Sequence, residues 1–370
     1  LLLFAYGVAV GYYRWQPFGL LYRAKSQLAG AWVREKAIHR DVSEDAFRGD
    51  QALMRLAFTD PLIEGEKIYP PITSLAGIQS ANQSIFVSVV GFESAYEELI
   101  VKGAERLELD SGATNVVRVR FAYQGRDYDA YAYGEMPPEP KSDETATLFI
   151  PGSGVNQSHG VRQRDASDHH GGIMAALENG GTVFVFVKPN EDFLAWHDGS
   201  HKLSNDCVAG YHLNRGGSYS ASYIVQSIAF MKYLRSRYKK TIVAGLSQGG
   251  TAALLNAVQS QPDLAVIASG YSVVWRQVDR SGFNQILGIP FWGALTDSGN
   301  LMQRIQGSST NYLFTWGATE DEVYGIEAHG MPTCRAIGRL ANVSCVVHPG
   351  GHVFPVVEVQ LFIKQHLSAG

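Results

Sequence analysis

The residues of this chain whose types and spacing most directly suggest chemistry are Gly245-Leu246-Ser247-Gln248-Gly249. The apolar run Thr241-Ile242-Val243-Ala244 precedes them, and a small-residue helical stretch from Gly250 to Val258 follows. A strand that turns sharply into a helix at Gly-x-Ser-x-Gly forces the serine into a strained turn, its hydroxyl exposed above the end of a parallel sheet. With 39 glycines in 370 residues, chance supplies such a pentapeptide roughly 0.2 to 0.3 times per chain, so the flanks must carry the reading. Gly245 and Gly249 leave room for the chain to pass itself, Gly250, Ala252 and Ala253 let the helix sit close on its strand, and Gln261-Pro262 marks the stop.

A serine hydroxyl is a poor nucleophile until an imidazole takes its proton, and the imidazole needs a carboxylate to fix its tautomer and stabilise its cation. The elements that would position such groups can be read from the pattern. Val116 to Tyr123 and Asp127 to Tyr133 alternate around the turn Gln124-Gly125-Arg126 and predict an antiparallel hairpin. After a Pro-rich link from Met136 to Pro140, buried-type strands recur at 147–150, 182–187, 241–244, 264–268, 311–316 and 343–347. Helical stretches such as 172–177 and 223–237 lie between most of them, which implies an α/β fold with a mostly parallel sheet and helices on both faces.

A hairpin, then β-α alternation, with a serine elbow after the third later strand, resembles the α/β-hydrolase superfamily over roughly residues 115 to 367. The resemblance implies a triad in the order serine, acid, histidine. The histidine is then His352, which follows the last predicted strand in the glycine-rich loop Pro349-Gly350-Gly351-His352 and precedes a final helix near 356–366; His348 is the competitor. The acid falls in Gly317-Ala318-Thr319-Glu320-Asp321-Glu322-Val323, with Asp321 preferred and Glu320 the alternative. Asp279 and Asp297 lie in a long insertion and are set aside. Oxyanion donors are expected from the backbone N–H of Gln248 and, in the loop Pro151-Gly152-Ser153, from that of Ser153. Cap insertions at about 188–222 and 271–309 leave the carboxyl ends of strands and carry aromatics, among them Trp196, Tyr219 and Trp275, that suit an apolar or sugar-ring substrate or form the cap's own core.

The remaining features bound the function. A net charge of −4 and no run of five or more basic residues give no electrostatic footprint for nucleic acid. Cys207, Cys334 and Cys345 lack metal-ligand spacing; Cys334 and Cys345 either pair in an oxidising compartment or stay as buried thiols. Asp165, Asp168, His169 and His170 lack a ligand pattern and read as a helix cap and polar surface, so neither metal nor cofactor is expected. Asn82, Asn156 and Asn342 lie in glycosylation sequons. The apolar start, residues 1–13, reads as the end of a signal peptide or membrane anchor, which implies an extracytoplasmic location. Residues 14–110 read as an accessory segment and 111–370 as the catalytic domain. The expected activity is hydrolysis of a small-molecule or polymer-linked carboxylic ester, less readily an amide. The alternatives are an acyltransferase with the same acyl-enzyme and a non-catalytic binding protein on the same fold.

Overall fold

Runs of β-branched and aromatic residues assemble one sheet in the computed structural model, which describes residues 95–107, 116–123, 126–136, 139, 141–153, 157–162, 164, 172–188, 219–270, 300–320 and 330–367. The chain divides into two compact units, Leu1–Ala52 and Leu53–Gly370, and the described residues all belong to the second.

The strands are β1 (Ile100–Leu107), β2 (Val116–Tyr123), β3 (Arg126–Tyr133), β4 (Lys141–Ile150), β5 (Thr182–Val187), β6 (Tyr238–Leu246), β7 (Leu264–Ala268), β8 (Asn311–Gly317) and β9 (Val343–His348). Their spatial order is β1-β2-β3-β5-β4-β6-β7-β8-β9. The expected hairpin is β2 and β3, antiparallel from Val116↔Tyr133 to Tyr123↔Arg126. β3 joins β5 antiparallel, and every pairing from β5 to β9 is parallel. β1 extends the sheet to the N-terminal side of residue 111, where the catalytic domain was expected to begin. It is an edge strand, IVKGAERL, with no fully buried position, so it shows no apolar alternation for sequence reasoning to find. The strand expected near 84–90 lies outside the described residues.

The helices are α1 (Ala95–Glu98), α2 (Gln157–Arg162), α3 (Ile173–Glu178), α4 (Tyr219–Arg235), α5 (Gln248–Ser260), α6 (Asn300–Gly307), α7 (Met331–Ile337) and α8 (Val356–Leu367). Successive strand residues enter opposite cores. Val243 joins Leu148, Phe184 and Ile267 under α4 and α5, whereas Ile242 and Ala244 join Phe149, Val185 and Val266 under α3 and α8. The sheet is therefore covered on both faces, which is why its central strands lack a polar side. On β8, Tyr312, Phe314 and Trp316 share one face and stack at 6.3 Å between successive rings.

Every residue of α5 is buried, so the helix is clamped between α4 and strands β6 and β7. Its alanines and glycines permit that depth, and its polar Asn256 is satisfied there: Nδ2 donates to Ser227 Oγ at 3.1 Å and Oδ1 accepts from Ser260 Oγ at 2.7 Å. Cys334 on α7 and Cys345 on β9 form a disulfide with their Cα atoms 5.8 Å apart, which decides between the two readings of these cysteines. Asn342 is tied down as well, its Nδ2 donating to the carbonyls of Ile305, Ser308 and Thr310 at 2.8 to 3.2 Å, so this sequon's amide has a structural task.

Candidate active site

The chain leaves β4 to form β5 on one side of it and later returns to form β6 on the other side. Connections from two neighbouring parallel strands thus depart in opposite directions, opening a crevice at their carboxyl ends where such sheets bind ligands. The segment after β4 is Pro151-Gly152-Ser153, and the segment after β6 is the turn at Ser247. Topology alone therefore brings the two together.

Ser247 adopts φ 59° and ψ −125°, a positive-φ conformation sparsely populated by residues with a Cβ, between the end of β6 and the first residue of α5. Its N–H donates to the Ala268 carbonyl at 2.9 Å, and its own carbonyl accepts from Thr251 N–H at 3.2 Å. Three glycines make the turn possible. A Cβ on Gly245 would stand 2.1 Å from the Gly249 carbonyl oxygen, one on Gly249 would stand 2.0 Å from the Ile150 oxygen, and one on Gly250 would stand 2.7 Å from the Ala268 oxygen. The elbow is held against both the segment after β4 and that after β7. For that reason Ser247 is only 5% exposed, where the sequence pattern alone suggests an exposed hydroxyl.

Gln248 occupies the first position of α5, where a backbone N–H has no acceptor within the helix. Its side-chain amide is buried with neither nitrogen nor oxygen hydrogen-bonded. Ser153 follows the buried Pro151-Gly152 pair and is exposed. Beside this loop, Lys188, the residue after β5, is fully buried and its Nζ donates to the Gly152 carbonyl.

β8 ends at Gly317, and the chain folds back there onto the loop after β9. A Cβ on Gly317 would lie 2.1 Å from the Gly351 oxygen, and the N–H groups of Ala318 and Thr319 donate to the carbonyls of His348 and Gly350 at 2.8 and 3.1 Å. This splice sets Glu320 against His352: Nδ1 stands 3.5 Å from Glu320 Oε2. The Glu320 side chain has 0% exposure and that of His352 has 22%. Oε1 of Glu320 accepts from Gly317 N–H at 2.8 Å and from the Ser269 hydroxyl. A carboxylate only accepts, so a hydrogen bond at this contact takes a proton on Nδ1, the tautomer that leaves Nε2 as the acceptor. Asp321, the preferred acid from sequence, lies outside the described residues.

His348 is employed differently. Its Nδ1 accepts from Gly350 N–H at 3.2 Å, it is nearly fully buried, and its Nε2 has no hydrogen-bond partner. Burial holds its pKa below the usual histidine value, against the opposing pull of Glu358 and Glu320. It braces the glycine turn that carries His352.

Sequence reasoning missed Ser269 and Lys188. Ser269 has φ 49° at the end of β7, its N–H bonded to the Thr315 carbonyl at 2.8 Å, and no motif marks a lone serine there. Lys188 begins the first cap insertion, where a lysine reads as surface. Of the aromatic residues picked out in the two insertions, Tyr219 is the first residue of α4 and is buried in the core, its ring 5.2 Å from that of Tyr223 one turn on. Trp196 and Trp275 lie outside the described residues, as do Asp165, Asp168, His169 and His170. Among the described residues no group of acidic, histidine or cysteine side chains is arranged to hold a metal.

A mixed, mostly parallel sheet flanked by helices on both faces, with a glycine-lined serine elbow leaving β6 into a buried helix, is an α/β-hydrolase-like fold. No family model and no curated protein matches the chain. Among solved structures, an acetyl xylan esterase from Paenibacillus sp. R4 is 12% identical, with a TM-score of 0.46 over 84% of this chain and 99% of that one. Acetyl xylan esterase 1 from Thermoanaerobacterium sp. JW/SL YS485 is 12% identical, with a TM-score of 0.45 over 86% and 97%. Est1E from Butyrivibrio proteoclasticus is 12% identical, with a TM-score of 0.41 over 72% and 100%. At these identities the likeness concerns chain path alone.

Proposed function

We propose that this protein is a serine hydrolase that cleaves carboxylic esters through an acyl-enzyme on Ser247. The observation that carries the reading is the positive-φ conformation of Ser247 at the switch point of the sheet. A non-glycine residue held there costs about 1 to 3 kcal/mol and persists where the surroundings enforce it. In the proposed reaction Ser247 Oγ attacks the ester carbonyl while His352 Nε2 takes its proton. Glu320 stabilises the imidazolium through Nδ1, and the N–H groups of Gln248 and Ser153 receive the oxyanion. The C–O bond to the alcohol then breaks as His352 returns the proton to the leaving oxygen. Water, deprotonated by the same nitrogen, releases the acid and restores Ser247.

Glu320 is the acid in this reading because its buried carboxylate meets His352 while two other donors hold its second oxygen. The substrate is a small-molecule or polymer-linked ester. The protein acts outside the cytoplasm in this reading, which the Cys334–Cys345 disulfide supports, since such bonds persist in oxidising compartments. Fractionation of cells carrying the full-length protein tests the location, and a reduced cytoplasmic pool would count against it. The test of the activity is labelling by a fluorophosphonate probe together with hydrolysis of short and long acyl esters. Labelling at Ser247 and loss of both in Ser247→Ala are expected; full activity in that variant would refute the mechanism.

A further inference from the structure

A fully buried lysine at the carboxyl end of β5 has no place in the triad, and it reaches the loop after β4. β4 and β5 run parallel with Phe149 opposite Val185, so three residues further on Gly152 and Lys188 come level at the sheet edge that carries the site. Lys188 Nζ donates to the Gly152 carbonyl. In a trans peptide the carbonyl of one residue and the N–H of the next point in opposite directions within one rigid plane. An amino group that holds the Gly152 oxygen therefore directs the Ser153 N–H to the opposite side of the peptide plane, away from Lys188.

The other face of the same loop is fixed independently. The backbone of Gly249 meets the Ile150 and Pro151 carbonyls so closely that a Cβ there would stand 2.0 and 2.5 Å from their oxygens. The peptide after Pro151 is thus confined between the elbow and Lys188, while Ser153 itself is exposed.

We propose that Lys188 is a positioning residue that sets the orientation of the Ser153 N–H as an oxyanion donor for acyl transfer at Ser247. The inference deepens the ester-hydrolase reading and rests on it. The hydrogen bond from Nζ also polarises the Gly152–Ser153 amide by drawing on its carbonyl, which makes the N–H a stronger donor to developing negative charge. The effect belongs to the transition state, so it falls on kcat and leaves substrate binding nearly untouched.

The test compares Lys188→Met and Lys188→Arg with the wild type on a p-nitrophenyl ester, alongside inhibition by an alkyl boronic acid whose serine adduct places an oxygen in the oxyanion site. Removal of a whole oxyanion donor costs ~10²- to 10³-fold in kcat, so misorienting one should cost roughly 10- to 100-fold. Lys188→Met is expected to show that fall with KM within about threefold, and boronate affinity reduced by a similar factor. Lys188→Arg, which keeps a cationic donor, should recover most of kcat. Unchanged kcat and boronate affinity in folded Lys188→Met would overturn the inference, as would a loss confined to KM. If Lys188→Met is not recovered folded, Lys188→Gln decides by the same readouts. A wild type that neither labels at Ser247 nor hydrolyses any ester would overturn the parent reading and this inference with it. An active wild type whose Met variant behaves identically would remove this inference alone.

Discussion

Replacing Glu320 by glutamine separates the chemistry of the acid from its packing. The side chain is fully buried, and its Oε1 accepts from Gly317 N–H at 2.8 Å and from the Ser269 hydroxyl, two bonds that an amide oxygen can keep. The amide nitrogen then faces His352 Nδ1, where a carboxylate oxygen stood at 3.5 Å. A donor there moves the imidazole proton to Nε2, which can no longer take a proton from Ser247. The corresponding exchange in the serine-protease template costs about 10⁴ in kcat with geometry intact. The longer contact here argues for a smaller figure, about 10³, with KM within a few-fold. Stability should move little in Glu320→Gln. Glu320→Ala strands two donors in a buried site and should cost about 1 to 3 kcal/mol for each of them. The assay is initial rates on a p-nitrophenyl ester with thermal unfolding of each variant, and Asp321→Asn is measured beside it, with less than about a tenfold loss expected. A Glu320→Gln enzyme retaining a tenth of wild-type kcat, or a larger loss in Asp321→Asn, would refute the assignment of the acid.

Gly249→Ala forces a methyl into the Ile150 carbonyl at 2.0 Å, a backbone atom that cannot turn aside, so unfolding measurements should show a loss of at least about 2 kcal/mol with collapse of activity. Gly307→Ala is its control, because a Cβ there meets nothing within 4 Å and stability should be unchanged or slightly raised. His348 is held neutral by burial, so its folded pKa lies below the unfolded value; its stabilising contribution is present above about pH 6.5 and is lost as pH falls from there through the folded pKa. Equilibrium unfolding across that window should show the slope in the wild type and a reduced slope in His348→Gln. Reducing the Cys334–Cys345 bond, whose partners are 11 residues apart, should lower stability by up to about 3 kcal/mol, read as a fall in Tm with reductant that Cys334→Ser does not show.

The parallel strands and the elbow were legible in the chain because each is a local consequence of residue type. Buried strands need continuous apolar runs, as in Thr182–Val187 and Leu264–Ala268, and a strand-to-helix turn this tight needs glycine at 245, 249 and 250. The disulfide between Cys334 and Cys345 was one of two open readings, since spacing cannot tell a bridge from two buried thiols. β1 escaped notice because an edge strand with polar residues has no apolar period.

The local residue pattern settles the strand-turn-helix that presents Ser247 and the last two parallel strands, after which the acidic and histidine loops fall. Tertiary structure alone decided that Glu320 is set against His352 and that Ser269 and Lys188 hold the acid and the loop after β4. The reason is physical. Backbone conformation is governed by neighbours along the chain, whereas the partners of Glu320 and Lys188 come from segments 32 to 51 residues away that meet only when the sheet has closed its order, at a scale where a hydrogen bond is made or lost within about an ångström.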